Sequence, residues 1–190
     1  MSGVIGGRLY MLTGYENVLT PEGDICHECG FVATRRFYRY DPATNAWQSR
    51  PWCPNFHVGG AAGVIDGKLY VVGGGDKSGI SRKLDIYDSA TNHWKSGAAM
   101  PAARTTATAV VLGKKLYVVG GWGANDEGGE TFVYTPATDR WTTVASMPTA
   151  RRLLGAARVA VDGQAYIVTL GGLEIGQTFG ASNENEVYAR

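Results

Sequence analysis

The sequence predicts an all-β protein made of about four copies of one four-stranded antiparallel unit. Three observations carry this. Trp47, Trp94 and Trp141 stand 47 residues apart, twice in succession. Tyr40, Tyr87 and Tyr134 keep the same interval, as do Tyr70 and Tyr117. Between these anchors lie short β-branched and aromatic runs closed by turn residues, and no stretch shows the 3.6-residue apolar period of a helix. A fixed period is weighed first because it decides the whole architecture.

Each element follows in order. Leu69-Tyr70-Val71-Val72 and Leu116-Tyr117-Val118-Val119 read as strands, and the two glycines after each match as well, residue for residue. The run before each ends in a tight turn. Asp66-Gly67 and Asp162-Gly163 suit a two-residue hairpin with both turn residues at positive φ, and Gly6-Gly7 does the same in the first unit. The next hairpin turns through Asp41-Pro42-Ala43-Thr44-Asn45, which returns as Asp88-Ser89-Ala90-Thr91-Asn92 and as Thr135-Pro136-Ala137-Thr138-Asp139. Proline presets φ there, and Asn or Asp tolerates the left-handed residue that closes the turn. Two consecutive hairpins make four strands per unit.

One such sheet leaves apolar faces that it cannot bury alone. Stacking the sheets radially buries each against the next, which is a β-propeller. The glycine doublets (Gly73-Gly74, Gly120-Gly121, Gly171-Gly172), the Tyr seven residues before the Trp, and Met100-Pro101 and Met147-Pro148 after it resemble the kelch repeat. The resemblance covers essentially the whole chain. It implies kelch-type blades in a single domain, with units near 1–53, 54–100, 101–147 and 148–190. It says little of function, because such propellers serve as protein-binding modules, sugar-handling enzymes and oxidase scaffolds alike.

The first and last units depart from the pattern. Gly14 lies 26 residues before Tyr40, against 13 from Gly74 to Tyr87, so 13 residues are inserted between positions 15 and 39. Met1 stands only nine residues before Tyr10, which clips the first strand. Tyr188 is followed by two residues, so the outer strand of the fourth unit is expected to be missing. An open ring leaves unpaired edges. Either the remainder of a longer chain completes it, or copies associate, most simply as a two-fold homo-oligomer of half-rings.

Composition narrows the function classes. With 18 basic and 17 acidic side chains and a net charge of +1, nothing steers the chain toward nucleic acid. No apolar run approaches the roughly 20 residues of a membrane helix. The first residues lack the basic and apolar regions of a signal peptide, and the compartment stays open.

Two constellations carry chemistry. Cys26 and Cys29 form a C-x-x-C in the insertion, and Cys53 and His57 lie beyond the outer strand of the same unit; the four would make a Cys₃His structural zinc set. Equally, Cys53 aligns with Met100 and Met147 and serves as a small core hydrophobe, with Cys26 and Cys29 a loop disulfide or free thiols. Apart from this structural zinc no cofactor is expected. The second constellation is positional: His57, Arg104 and Arg151 align, and their places at the start of the innermost strands put them around one mouth of the channel. There they either hold carboxylates of an acidic ligand or pair with nearby acidic groups. Arg152 is a weaker companion, and Trp122 either adds a stacking surface or covers a neighbouring blade.

No G-x-S-x-G elbow, H-E-x-x-H or dinucleotide fingerprint is present. The expected function is therefore a non-catalytic interaction module that recognises a protein, peptide or acidic ligand on its loop face. The alternatives are a carbohydrate-active protein resembling the kelch sugar (sialic-acid-like) mutarotases, with His57 the one candidate proton carrier, and a purely structural oligomeric assembly.

Overall fold

The computed structural model describes residues 1–17, 31–123, 128–175 and 185–189. Cys26 and Cys29 lie outside them. Among the described residues there is no helix, and the chain forms a run of antiparallel sheets. Blade one is Ser2–Ile5, Arg8–Leu12, Phe37–Asp41 and Ala46–Arg50; blade two is Ala61–Ile65, Lys68–Val72, Leu84–Asp88 and His93–Gly97. Blade three is Thr108–Leu112, Lys115–Val119, Thr131–Thr135 and Arg140–Val144. Blade four has three described strands, Gly155–Val161, Gln164–Leu170 and Asn185–Ala189. The innermost strands of successive blades lie side by side, so the sheets fan around one axis.

The turn chemistry works as the residue types require. Asp66 and Gly67 take φ of 46° and 74°, and Asp162 and Gly163 take 51° and 78°, the left-handed pair of a type I′ hairpin. Asn45, Asn92 and Asp139 close the second hairpins at φ 50°, 59° and 50°. Each accepts a hydrogen bond from the hydroxyl of its blade's repeat tyrosine, Tyr40, Tyr87 and Tyr134. Such a bond settles a phenol whose ring is otherwise core.

The repeat tryptophans join blades. The Trp94 indole donates to the Pro51 carbonyl at 2.8 Å, and Trp141 donates to Ala98 at 2.7 Å, in each case the segment leaving the blade before. Each blade interface is a separate apolar cluster. Tyr10, Leu12 and Phe37 of blade one meet Leu69, Val71 and Tyr87 of blade two. Tyr70 and Val72 of blade two meet Leu116 and Val118 of blade three, and Tyr117 and Val119 meet Ile167 of blade four. Aromatic contacts run across the first of these, with Phe37 edge-on to Tyr87 at 4.7 Å and to Trp94 at 4.9 Å. Such pairs contribute about 0.5–1.5 kcal/mol each beyond their burial.

Loops between the second and third strands, and the connectors between blades, emerge on one face. Their necks are sealed identically. Thr13 N donates to Arg36 O and Thr34 N to Gly14 O in blade one; Gly73 N to Lys83 O and Ser81 N to Gly74 O do the same in blade two. Short two-stranded ladders crown that face: Tyr15–Asn17 with Phe31–Ala33, Gly75–Asp76 with Gly79–Ile80, and Arg151–Arg152 with Leu173–Glu174.

Candidate functional site

The connector from blade one to blade two carries Cys53, Asn55 and His57 within five residues. It is drawn down onto blade two because Gly74 has no side chain: a Cβ there would lie 2.5 Å from the His57 carbonyl, and its φ is +67°. His57 is 1% exposed and Asp85, on the third strand of blade two, is 0% exposed. His57 Nδ1 lies 2.7 Å from the Gly73 carbonyl, and Nε2 lies 3.1 Å from Asp85 Oδ2. Both partners are acceptors, a backbone carbonyl at one ring nitrogen and a carboxylate at the other, and a ring N–H donates to the one it faces.

Asp85 is the hub. Besides His57 it accepts hydrogen bonds from the Cys53 thiol, the backbone and side-chain amides of Asn55, and the Ser96 hydroxyl. Burial works against its charge, yet the hydrogen bonds from His57, Asn55 and Ser96 hold its carboxyl below the usual carboxylate range. Burial pushes the Cys53 thiol up, so it stays protonated and donates. The Cys53, His57 and Asp85 donor atoms lie within 4.8 Å of one another, close enough to share one ion. As they stand, those atoms satisfy each other. Of the expected zinc set the structure brings together Cys53 and His57, with Asp85 as an added carboxylate.

The other two aligned residues are buried as well. Arg104 is 1% and Arg151 0% exposed. Arg104 reaches the Glu130 carboxylate at 2.5 Å and the Ala103 carbonyl at 3.1 Å, with its guanidinium 4.9 Å over the Phe132 ring. Arg151 donates to the Gly171 carbonyl at 2.8 Å and to the Thr169 hydroxyl at 2.9 Å. These side chains turn into their blades and hold the start of each innermost strand. Trp122, 44% exposed, stands on the loop face, where its backbone pairs with Thr105, and Arg152 is half-buried in the ladder with Leu173.

Open space on the loop face lies between blades one and two, directly above the Asp85 hub. Two adjoining hollows share Phe56 and Asp76. One, about 400 Å³, runs along Asn55, Phe56, Asp76, Ile80 and Lys83; the other, about 500 Å³, adds Tyr15, Val32 and Lys77. The walls are braced. The Arg35 guanidinium sits 5.2 Å over the Phe56 ring and donates to the Pro54 carbonyl. Lys83 Nζ donates to Asn55 Oδ1 at 2.6 Å, so one amide ties the buried Asp85 to the groove wall. Asp76 accepts from the Ser78 hydroxyl and amide, which hold its carboxyl below the usual range.

Chemically the groove offers an exposed tyrosine, a phenylalanine and an isoleucine beside one carboxylate and two lysines. Asp76 is the one carboxylate among its described lining residues. His57 sits beneath the floor with both nitrogens engaged. Sequence reasoning missed Asp85, Tyr15, Phe56 and Asp76. Asp85 had a signal, since it breaks a repeat that places Phe132 at the equivalent position.

Comparison with known proteins agrees with this geometry. The family model described as the KLHDC2/KLHL20/DRC7 Kelch-repeats domain matches residues 3–188. Among solved structures, one described as "Structure of YjhT" superposes with a TM-score of 0.71 at 18% identity, covering 90% of this chain and 58% of that one. At that identity the likeness concerns the fold, and the chain spans less than two thirds of that protein's length. No curated protein matches.

Proposed function

The chain belongs to the kelch-repeat family, and on that premise we propose that it is a recognition module whose loop-face groove between blades one and two binds a peptide segment of a partner protein. The observation that carries the reading is the groove's make-up: Tyr15 and Phe56 as apolar anchors beside the ionised Asp76, held on a hydrogen-bonded floor. Rigid aromatic anchors flanked by a few placed polar groups are what peptide and protein interfaces use. An apolar side chain fits against Tyr15, Phe56 and Ile80, while Asp76 accepts from a backbone amide or a basic side chain and Lys83 donates to a carbonyl. Trp122 and Arg152 extend the same face toward blades three and four.

The module acts by binding alone in this reading. Proton transfer to a sugar needs a group within hydrogen-bond reach of the ring. Here the imidazole, the one proton carrier the sequence offers, is buried below the floor with both ring nitrogens facing protein acceptors.

The test is selection of a displayed random-peptide library on the 190-residue chain, with Tyr15→Ala and Asp76→Ala as counter-screens. Selected peptides are expected to lose at least tenfold in affinity on each variant while the melting curves stay unchanged. Peptides that bind both variants as tightly as the wild type sink the reading. A thermal shift by an acidic sugar, absent in Asp76→Ala, would replace it with the carbohydrate alternative.

A further inference from the structure

Three positions of the repeat change residue type together in one place. Counting 47 residues on, Cys53, His57 and Asp85 correspond to Met100, Arg104 and Phe132. A thioether, a guanidinium and a phenyl ring thus give way to a thiol, an imidazole and a carboxylate. All three side chains are buried, and their donor atoms lie within 4.8 Å of one another. Asp85 Oδ2 stands 3.1 Å from His57 Nε2 and 3.4 Å from Cys53 Sγ. Ligands held about 2.0–2.3 Å from one zinc-type ion at tetrahedral angles stand about 3.3–3.6 Å apart, so both separations are within about 0.2 Å of such an edge.

The groups around them orient the three as ligands. A metal-bound histidine keeps its proton on the other ring nitrogen and donates it to a fixed acceptor. His57 Nδ1 has that acceptor in the Gly73 carbonyl at 2.7 Å, which leaves Nε2 for an ion. Ser96 donates to Asp85 Oδ1 at 2.9 Å, which turns Oδ2 toward Cys53 and His57. Charge argues the same way. A thiol, a neutral imidazole and a carboxylate leave one buried negative charge in the cluster, and a divalent ion that replaces the thiol proton cancels it. The thiol and the imidazole select zinc or cobalt(II) over calcium and magnesium, which call for oxygen ligands on nearly every side.

We propose that Cys53 Sγ, His57 Nε2 and Asp85 Oδ2 bind one divalent zinc-class ion, which locks the connector onto blade two. The Cys53 S–H proton leaves to solvent and the sulfur binds as thiolate, so the site goes from one negative charge to none, and a water molecule takes the fourth vertex. Solvent is near, because Pro54, Asn55 and Phe56, between two of the ligands, line the hollow of about 400 Å³. This set differs from the one expected from the sequence in using Asp85 and neither Cys26 nor Cys29. It does not depend on what the groove binds.

Cobalt(II) and zinc titrations of the metal-stripped chain test this, in a Cys26→Ser/Cys29→Ser parent where Cys53 supplies the only thiol. One equivalent of cobalt(II) is expected to bind with the visible bands of a tetrahedral ion and a thiolate charge-transfer band in the near ultraviolet. X-ray absorption of the zinc form is expected to show one sulfur at about 2.3 Å beside nitrogen and oxygen at about 2.0–2.1 Å. Cys53→Met, which carries the blade-three residue, and Asp85→Asn are each expected to weaken binding at least a hundredfold while keeping the parent's circular dichroism spectrum. Zinc is expected to raise the melting temperature of the parent and of neither variant. Should a variant not fold, the parent's stoichiometry and sulfur shell decide. A parent without the thiolate band, or with a sulfur-free zinc shell, overturns the proposal. So does a cobalt spectrum that Cys53→Met or Asp85→Asn leaves unchanged.

Discussion

Blades two and three share strand register, turn residues and most of their core, yet they fill the slot beneath the incoming connector in opposite ways. In blade two the slot holds Cys53, Asn55, His57, Asp85 and Ser96, a polar cluster closed on itself. The positions 47 residues on are Met100, Ala102, Arg104, Phe132 and Thr143, and the carboxylate has moved to Glu130, aligned with Lys83. Position 83 immediately precedes the strand that carries position 85, two residues and roughly 6.6 Å away along the extended chain. A short imidazole meets an acid at the deep position; a long guanidinium crosses a phenyl ring to meet one at the rim. The same backbone thus accepts a buried polar pair or an apolar plug at the deep position, provided the reach of the basic side chain matches the depth of the acid. Only the polar version connects upward, through Asn55 and Lys83, to the candidate groove.

The comparison breaks most visibly at the hub. Asp85→Ala leaves a buried imidazole and several donors without their acceptor and is expected to cost about 3–5 kcal/mol in urea unfolding at neutral pH. The six-residue transplant that gives blade two the blade-three set (Cys53→Met, Asn55→Ala, His57→Arg, Lys83→Glu, Asp85→Phe, Ser96→Thr) is expected to be within about 1 kcal/mol of wild type or better, since the acid moves with the cation and an apolar ring fills the deep position. A transplant as unstable as Asp85→Ala shows that the slots are not equivalent.

Acid sharpens the same point. The folded Asp85 carboxyl lies below its unfolded value, so its contribution is full above about pH 4 and is lost as pH falls through the folded value. Urea midpoints taken between pH 7 and pH 2 should fall more steeply for the wild type than for the transplant; parallel curves would remove Asp85 from the account.

Smaller effects follow between blades one and two. Trp94→Phe removes the indole donor to the Pro51 carbonyl and is expected to cost about 0.5–1.5 kcal/mol, whereas the half-exposed Trp47→Phe changes stability by less than about 0.5 kcal/mol. Calorimetric melting of the two variants side by side reads the difference. Smallest is a backbone term. Leu153 sits at φ 55° where blade two has Gly59 at φ 72°. Leu153→Gly relieves about 1–2 kcal/mol of left-handed strain against an entropic cost of about 0.5–1 kcal/mol, a net gain of about 0–1.5 kcal/mol. A fall in melting temperature would show that the exposed leucine side chain contributes more than its backbone strain costs.

What was legible in the sequence follows the same divide. Turns, strands and blade packing depend on residue types that return from blade to blade, the Tyr and Trp anchors and the Asn and Asp turn closures every 47 positions and Asp-Gly pairs in two of the first hairpins, so these could be read directly. The alignment of His57, Arg104 and Arg151 was also legible, but not which way they turn, because the irregular connector has no alternation to separate inside from outside. The groove was not legible. Tyr15 and Asp76 lie in loops and Phe56 in a connector where the later units have Ala103 and Ala150, and the three meet only because these segments exit on one face. Asp85 lies between these cases: it is a periodic position with the wrong residue, and a repeat broken inward by a charge is a pointer to a buried partner.

The sealed loop necks have a consequence for how such a protein can change. Twenty positions separate Gly14 from Thr34, but seven separate Gly74 from Ser81, and the same pair of backbone hydrogen bonds closes both. A blade therefore registers the ends of the segment it holds and not its length, and lengthening a closed loop adds little entropy cost. Each neck is a socket. New segments can be spliced into it, and specificity rewritten, while the sheets below keep their hydrogen bonds.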